Sequence, residues 1–503
     1  MNAVFWLMVA LARADEPAPE APPPESPESV PPTVPPLPPA ETPSGETPAT
    51  EDAPVDENAL FGGSVDENAL FGGEAPASEP PPETVTMDGI DMEKSSDSAI
   101  LDRLTNASDK LTIGGRAYLR LDAAFVEDEK FKTAAFSSPN LLDLFVDARP
   151  NDRVRIFAKG RLSHDFTIQS GDTDMFGDEV KPTKVALDSL WMKFDVAHKV
   201  YVTAGKQRIK WGAGRFWNPT DFMNQQALDP LAAYDERLGV GLIKVHVPFE
   251  KLGANAYFLG NFEGAQSLEE IGGAARLEWA FNSSELSVSA AARKDQPYRL
   301  GADFSSALWI FDLRVEASVQ KGLKTPFYEG ELDFETFTLP TEVSREDDWI
   351  PQVVAGLEAG FKVNSEDTFY VGAEYFFNDA GYSDNSLYLW LLANNQFTPF
   401  YLGRHYFGAY AYVPSPGRWE DTSFTGSVIT NLSDKSAVAR LDVRQTVLTY
   451  LALNVYSSYH FGELGEFQFQ VEVPPVPTVP ALANGLTVPA PWLEFGLGAN
   501  LTF

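Results

Sequence analysis

Cysteine is absent from the 503 residues, so no disulfide framework and no thiolate metal site can be built. Bases are scarce: 38 Lys and Arg stand against 72 Asp and Glu, a formal charge of −34. With no basic excess to displace counterions, nucleic-acid binding is excluded. Long apolar runs are missing as well. The longest, Ala3 to Ala12, covers ten residues where a membrane-crossing helix needs about 20. The five histidines, His164, His198, His246, His405 and His460, show no ligand spacing. No glycine-rich phosphate loop follows a strand with a helix after it. No cofactor, metal or catalytic residue is therefore expected, and the chain reads as a non-enzyme. Two classes remain, a soluble protein and a barrel in a membrane.

What is present is unevenly placed. Residues 1–14 read as a signal peptide: the apolar core Ala3–Ala12 is followed by Ala12-Arg13-Ala14, a small-x-small cleavage pattern, although no Lys or Arg precedes the core. Residues 15–100 hold 19 of the 38 prolines and 20 acids against one base, Lys94. Such a stretch has too little apolar surface to offset its ordering entropy, so a disordered linker is expected. Within it Val55–Gly63 recurs unchanged as Val65–Gly73. That repeat is either a tandem duplication in unconstrained sequence or a docking motif. In the second reading the pairs Leu60-Phe61 and Leu70-Phe71 meet a periplasmic partner, two copies raising effective concentration. Ile100, Leu101, Leu104 and Ala107 have helical spacing ahead of the next region.

From Leu111 the apolar period becomes two. Leu111, Ile113, Gly115, Ala117, Leu119, Leu121, Ala123 and Phe125 alternate with Arg116, Tyr118, Arg120 and Asp122. The pattern returns at 154–163, 311–319, 353–361 and 439–443. Apolar faces sustained for 9–13 residues suit a tilted membrane strand, and opposite faces with charges of both signs suit a wet lumen. Short connections alternate with long ones at roughly 166–184, 211–237, 320–350, 378–404 and 462–490. The predicted fold is all-β: residues 101–503 form a transmembrane antiparallel up-and-down β-barrel of about 18 strands, 16 being the alternative, behind a disordered N-terminal extension. Sixteen to eighteen strands leave an aqueous channel.

The final strand places Phe495, Leu497, Ala499, Leu501 and Phe503 on one face. Ending so, it resembles the assembly signal of Gram-negative outer-membrane barrels. The resemblance implies outer-membrane lipid and the barrel-assembly machinery as partners, and an even strand count is expected to put both barrel ends, with the N-terminal extension, in the periplasm.

The inferred lumen carries Arg116, Arg120, Arg155, Lys159, Arg161, Lys193, Arg276, Arg314, Arg440 and Arg444. Against them stand Asp122, Asp143, Asp147, Asp165, Glu278, Asp312, Glu316, Glu358, Glu374 and Asp442. These are either cross-strand salt bridges that hold the wall or a charged path for a polar solute. Lys206, Arg208 and Lys210 break the parity of Val200, Val202 and Ala204. Three cations facing lipid are costly, so a lumenal face is expected, through a bulge at Gly205 or through Tyr201 and Thr203 turned outward. With Arg215 they would stand near the extracellular end of the pore. The stretch Trp211-Gly212-Ala213-Gly214-Arg215-Phe216-Trp217-Asn218-Pro219-Thr220-Asp221 then turns sharply. A strand ending in Arg and Trp-Gly, leading into Asn-Pro-x-Asp, resembles the alginate-export-type porins and related uncharacterised outer-membrane barrels. It covers one motif of about 15 residues besides the architecture, and the mixed wall departs from an Arg-dominated alginate path. Leu387–Ala393 is expected to form a short helix over the mouth or a loop folded inside. Ser170–Glu179 resembles a calcium loop but lacks the full ligand series.

The function expected is a porin-like channel for passive or facilitated diffusion of polar solutes. The alternative is a structural or adhesive barrel whose linker and outer loops bind partners. The oligomeric state stays open.

Overall fold

A computed structural model describes residues 110–126, 134–173, 179–224, 226–333, 338–363, 367–473, 475 and 485–503. Outside them lie residues 1–14, read above as a signal peptide, the 15–100 stretch with Leu60, Phe61, Leu70 and Phe71, the Ile100–Ala107 spacing and the centre of the Ser170–Glu179 loop.

The period-two pattern yields β1 (Leu111–Val126), β2 (Pro139–Asn151), β3 (Val154–Asp165), β4 (Thr183–Val196), β5 (Val200–Gln207) and β6 (Val240–Phe249). Then come β7 (Ala254–Asn261), β8 (Gly272–Phe281), β9 (Ser284–Ala292), β10 (Tyr298–Leu308), β11 (Phe311–Lys321) and β12 (Trp349–Lys362). The circle is completed by β13 (Thr368–Asn378), β14 (His405–Pro414), β15 (Thr422–Asn431), β16 (Ser436–Leu448), β17 (Leu451–Gly462) and β18 (Pro491–Thr502). Each strand pairs antiparallel with the next, and β18 returns to β1 with Arg116 opposite Thr502 and Phe125 opposite Leu493. The sheet closes, so backbone donors and acceptors are satisfied between strands and no long edge is left, as a membrane-spanning sheet requires. A short extra strand, Ala135–Ser137, lies beside the far end of β1. These are the eighteen strands the alternation predicts; sixteen is set aside.

Side-chain exposure separates the two faces. Ile113 (71%), Leu277 (54%), Leu357 (50%) and Leu441 (52%) point out of the barrel, where an apolar belt would be untenable in water. Trp279, Trp309 and Phe361 are exposed near one rim, and Trp349, Tyr459 and Trp492 near the other, as aromatic girdles are. Among the described residues no helix is long and apolar enough to cross a membrane; the strands do the crossing. One rim carries tight connections such as 152–153, 282–283 and 449–450. The other carries 166–182, 208–239, 322–348, 379–404 and 463–490. An even strand count leaves both ends of the barrel sequence at the short-turn rim.

One strand departs from expectation. A strand over 199–210 is predicted, yet β5 ends at Gln207. Beyond it the chain leaves the wall and enters the lumen.

Candidate functional site: the lumen and its inward loop

Residues 208–239 join β5 to β6 by way of the far wall. Glu316 on β11 accepts the N–H groups of Ala213 at 3.0 Å, Gly214 at 3.2 Å and Thr220 at 2.6 Å, and the Thr220 hydroxyl at 2.7 Å. Glu374 on β13 accepts those of Arg215 at 2.6 Å and of Phe216 and Trp217 at 3.0 Å. Two carboxylates thus take up successive donors of an irregular backbone that would otherwise go unpaired inside the barrel. Gly212 permits the wrap: its φ is 101°, and a Cβ there would lie 2.5 Å from Glu316 Oε2. Phe216 and Trp217 are fully buried against Val354, Phe376, Tyr406, Tyr410 and Ile429. Trp217 Nε1 donates to the Phe400 carbonyl at 3.0 Å, and Arg215 lies 4.7 Å over the Tyr410 ring.

The remaining motif residues shape the loop. Trp211 packs with Ile209, Phe222, Met223 and Leu242. The Asn218 carbonyl accepts Asp221 N–H at 3.1 Å, across Pro219. Asp221 in turn holds Arg237 at 3.0 Å, clasping the outgoing leg to the returning one. The returning leg then reaches the opposite wall. Tyr234 meets Tyr118 edge-on at 5.2 Å, and Arg161 donates to the Glu236 carbonyl at 2.7 Å. The sequence stretch resembling alginate-export-type porins is therefore the start of a loop that crosses the lumen.

Register puts Arg116, Arg120, Asp143, Asp147, Arg155, Lys159 and Arg161 on the inward parity of β1–β3, and Arg314, Glu358 and Glu374 on that of β11–β13. Most are joined in pairs. Asp143 takes both arms of Arg161 at 2.8 Å, and Asp147 takes Arg149 at 3.1 Å and Arg155 at 2.9 Å. Arg120 meets Asp122 at 2.8 Å, Arg276 meets Asp303 at 2.8 Å, and Arg440 meets Asp442 at 2.7 Å. Glu358 is bonded by the Tyr410 hydroxyl and lies 3.7 Å from Arg314. Salt bridges thus engage much of the wall, some between strands, as in Asp143–Arg161 and Asp147–Arg155, and some along one strand, as in Arg120–Asp122 and Arg440–Asp442.

Three corrections follow. Lys206 does not face the lumen. It shares its side of the sheet with Leu190 and Gly241, and Leu190 is exposed on the outer belt. A long cation there is sustained by its place at the strand end and by Glu263, 3.1 Å away. Neither expected remedy occurs, for Thr203 is buried and Tyr201 stacks at 5.7 Å on His246, which faces inward with it. Secondly, Arg208 and Lys210 belong to the loop, past the end of β5. Thirdly, Glu374 points inward but is covered by the loop it anchors (3% exposed), so it does not line an open path.

Asp188 escapes the sequence reading. It is fully buried and takes Arg208 at 2.6 Å and Lys159 at 2.9 Å. The β3–β4 register shifts between Lys159 and Gly160, so Asp188 and Ser189 both turn inward at a bulge. A signal exists: outward Val185 and Leu187 are followed by Leu190 and Met192, a gap of three where alternation requires two.

A second layer closes over one side of the mouth. Leu387–Ala393, expected as a short helix or an inward loop, forms the helix α1 (Tyr388–Ala393), with Tyr388, Leu391 and Leu392 buried. Glu466, in the last long loop, accepts the Phe400 N–H, the Tyr406 hydroxyl at 2.6 Å and Asn431 Nδ2 at 2.8 Å. Burial, seconded by nearby Asp434, pushes its carboxyl up to about 8.

Phe495, Leu497 and Leu501 face outward on β18, and the Phe503 backbone exchanges bonds with Gly115 at 2.8 and 3.0 Å.

No protein-family model matches the chain, and no curated protein does. Among solved structures it is similar to a triple mutant of the Rhodopseudomonas blastica porin, at 11% identity and a TM-score of 0.36, covering 78% of this chain and 100% of that one. It is similar also to the outer membrane protein OpdK from Pseudomonas aeruginosa, at 9% identity and a TM-score of 0.46, covering 78% and 99%. The barrel assignment rests on this chain's own strand pairing.

Proposed function

We propose that this chain is an outer-membrane, porin-like channel through which polar solutes diffuse, narrowed by the loop 208–239. The observation that carries the reading is the anchoring of that loop by Glu316 and Glu374 across a closed, charge-lined barrel with an apolar outer belt. A barrel serving only as a membrane anchor has no need of ion pairs lining its inner wall, nor of a backbone segment held across its middle. The channel acts by size and charge alone, without a catalytic step. Solutes pass the gap between the loop and the wall among fixed guanidinium and carboxylate groups, whose field favours one sign of charge over the other. The N-terminal extension would hang from the short-turn rim into the periplasm, available to a partner through its repeated Leu-Phe pairs. Deletion of 15–86 is expected to leave assembly intact.

Single-channel recording in planar bilayers tests the reading. The purified, folded full chain is expected to give discrete ohmic steps. A folded barrel without conductance would overturn the channel and favour a structural or adhesive role.

A further inference from the structure

A cleft of about 620 Å³ opens at the short-turn rim, where the turn 151–153 meets the ends of β3 and β4. That volume lies in the range of small-molecule sites. Its membrane side is apolar. Val154 stands opposite Phe194 in the β3–β4 register, on the same face as Ile156 and Met192, which are exposed on the outer belt. Its water side is charged. Arg153 Nε donates to the two carboxylate oxygens of Asp195 at 3.0 and 3.3 Å, and Nη2 to the Asp195 carbonyl at 3.1 Å. The His198 N–H holds the same carboxylate at 2.9 Å, which fixes it and, through it, the guanidinium. Arg153 keeps donors to spare, because Nη1 has no acceptor among the described residues and the side chain is 53% exposed. Asp152, its chain neighbour, is exposed, and its carboxylate takes no ion pair or hydrogen bond among the described residues.

A cation and an anion with capacity left thus stand side by side at the wet edge of an apolar cleft, where the outer belt ends. An ethanolamine phospholipid has the same order of parts. Its phosphate oxygens match the open edge of the guanidinium fork, its ammonium suits Asp152, and an acyl chain continues along the apolar wall. A free phosphate would leave that wall bare, and a hydrocarbon alone would leave the charges unmatched.

We propose that this cleft binds one phospholipid of the leaflet that meets the short-turn rim, with its phosphate on Arg153, its ammonium on Asp152 and an acyl chain along Met192 and Phe194. The site rests on the closed barrel and its outer belt, and conductance has no bearing on it.

Dioleoyl-phosphatidylethanolamine is the probe, and the full chain, freed of lipid in detergent, is the sample. Native mass spectrometry of the titration is expected to show a single lipid retained per chain, and R153Q to weaken that retention about tenfold or more. Asp152→Asn should narrow the preference for the ethanolamine lipid over its phosphatidylglycerol counterpart, a shift that a merely structural role for this exposed side chain would not produce. Heat-dependent gel mobility establishes that each variant is folded. Should R153Q fail to fold, the headgroup preference of Asp152→Asn decides the matter by itself. Inorganic phosphate in excess is expected to leave the lipid in place; its displacement would make this a site for the free ion and overturn the lipid. Equal retention by the parent protein and by folded R153Q, or a headgroup preference unmoved by Asp152→Asn, would overturn the site.

Discussion

Along β1–β3 the inward residues include Arg120, Asp122, Asp143, Asp147, Arg155, Lys159 and Arg161, linked in ion pairs along one strand or across to a neighbour. Along β12–β15 they include Val354, Phe376, Tyr406, Tyr410 and Ile429, and a loop packs on them. The outer faces of the two regions are alike, and so is their hydrogen bonding. Alternation alone makes the wall, then, while the chemistry of the inner face decides what fills the space beside it. The charged pairs are themselves largely buried and satisfy one another, whereas the rings and branched chains gain by excluding water, and the outgoing leg of the loop is what covers them.

Substitutions in the two regions should therefore differ in cost. The largest loss is expected from Trp217→Ala, which empties the centre of the packed side: about 3–5 kcal/mol, read by urea unfolding of the refolded barrel. A cost under about 1 kcal/mol would mean that the loop does not pack there. Next is Glu374→Leu, which orphans three N–H groups at a cost of about 1–3 kcal/mol in all, because the released loop lets water reach them; trypsin should then cut the loop at Arg215, and open-channel current should rise. Wild-type protease resistance in that variant would refute the anchoring. Alkaline pH should loosen the mouth by way of Glu466. Because its folded-state pKa, about 8, lies above the ordinary carboxyl value, its contribution is full below that ordinary value and lost as pH climbs through 8. Trypsin cleavage at Arg404 between pH 6 and 9.5 should accelerate in the parent protein and stay flat in Glu466→Gln; equal profiles would exclude Glu466 as the cause. The smallest effect is expected on the charged side. Lys159→Gln should cost about 0.5–1.5 kcal/mol, since Asp188 retains Arg208. A loss as large as that at Trp217 would erase the distinction between the two regions.

The wall was legible in the sequence because strand faces repeat every two residues, a local property. All eighteen strands lie where alternation puts them, within a few residues at their ends. The inward loop was legible only as an oddity of composition. The contacts that fold it, from Glu374 to Arg215, Phe216 and Trp217, join residues nearly 160 positions apart, and no local pattern encodes such a partner. Glu374 and Arg161 look alike as inward charges on a strand, yet one anchors backbone and the other pairs with Asp143. Lys206 was misplaced for the converse reason: counting parity through three cations assumed a strand that had already ended at Gln207.

The bulge in β4 shows how a barrel acquires a device without being rebuilt. Asp188 is a supernumerary residue: strike it out and Leu187, Ser189 and Leu190 alternate without a break, so the fence of strands would stand unaltered. Arg208 and Lys159 would notice, having lost the carboxylate they share, which holds the root of the loop. One additional residue in β4 thus supplies the carboxylate that pins the root of the loop, while the strand pairing on either side of it runs on unchanged.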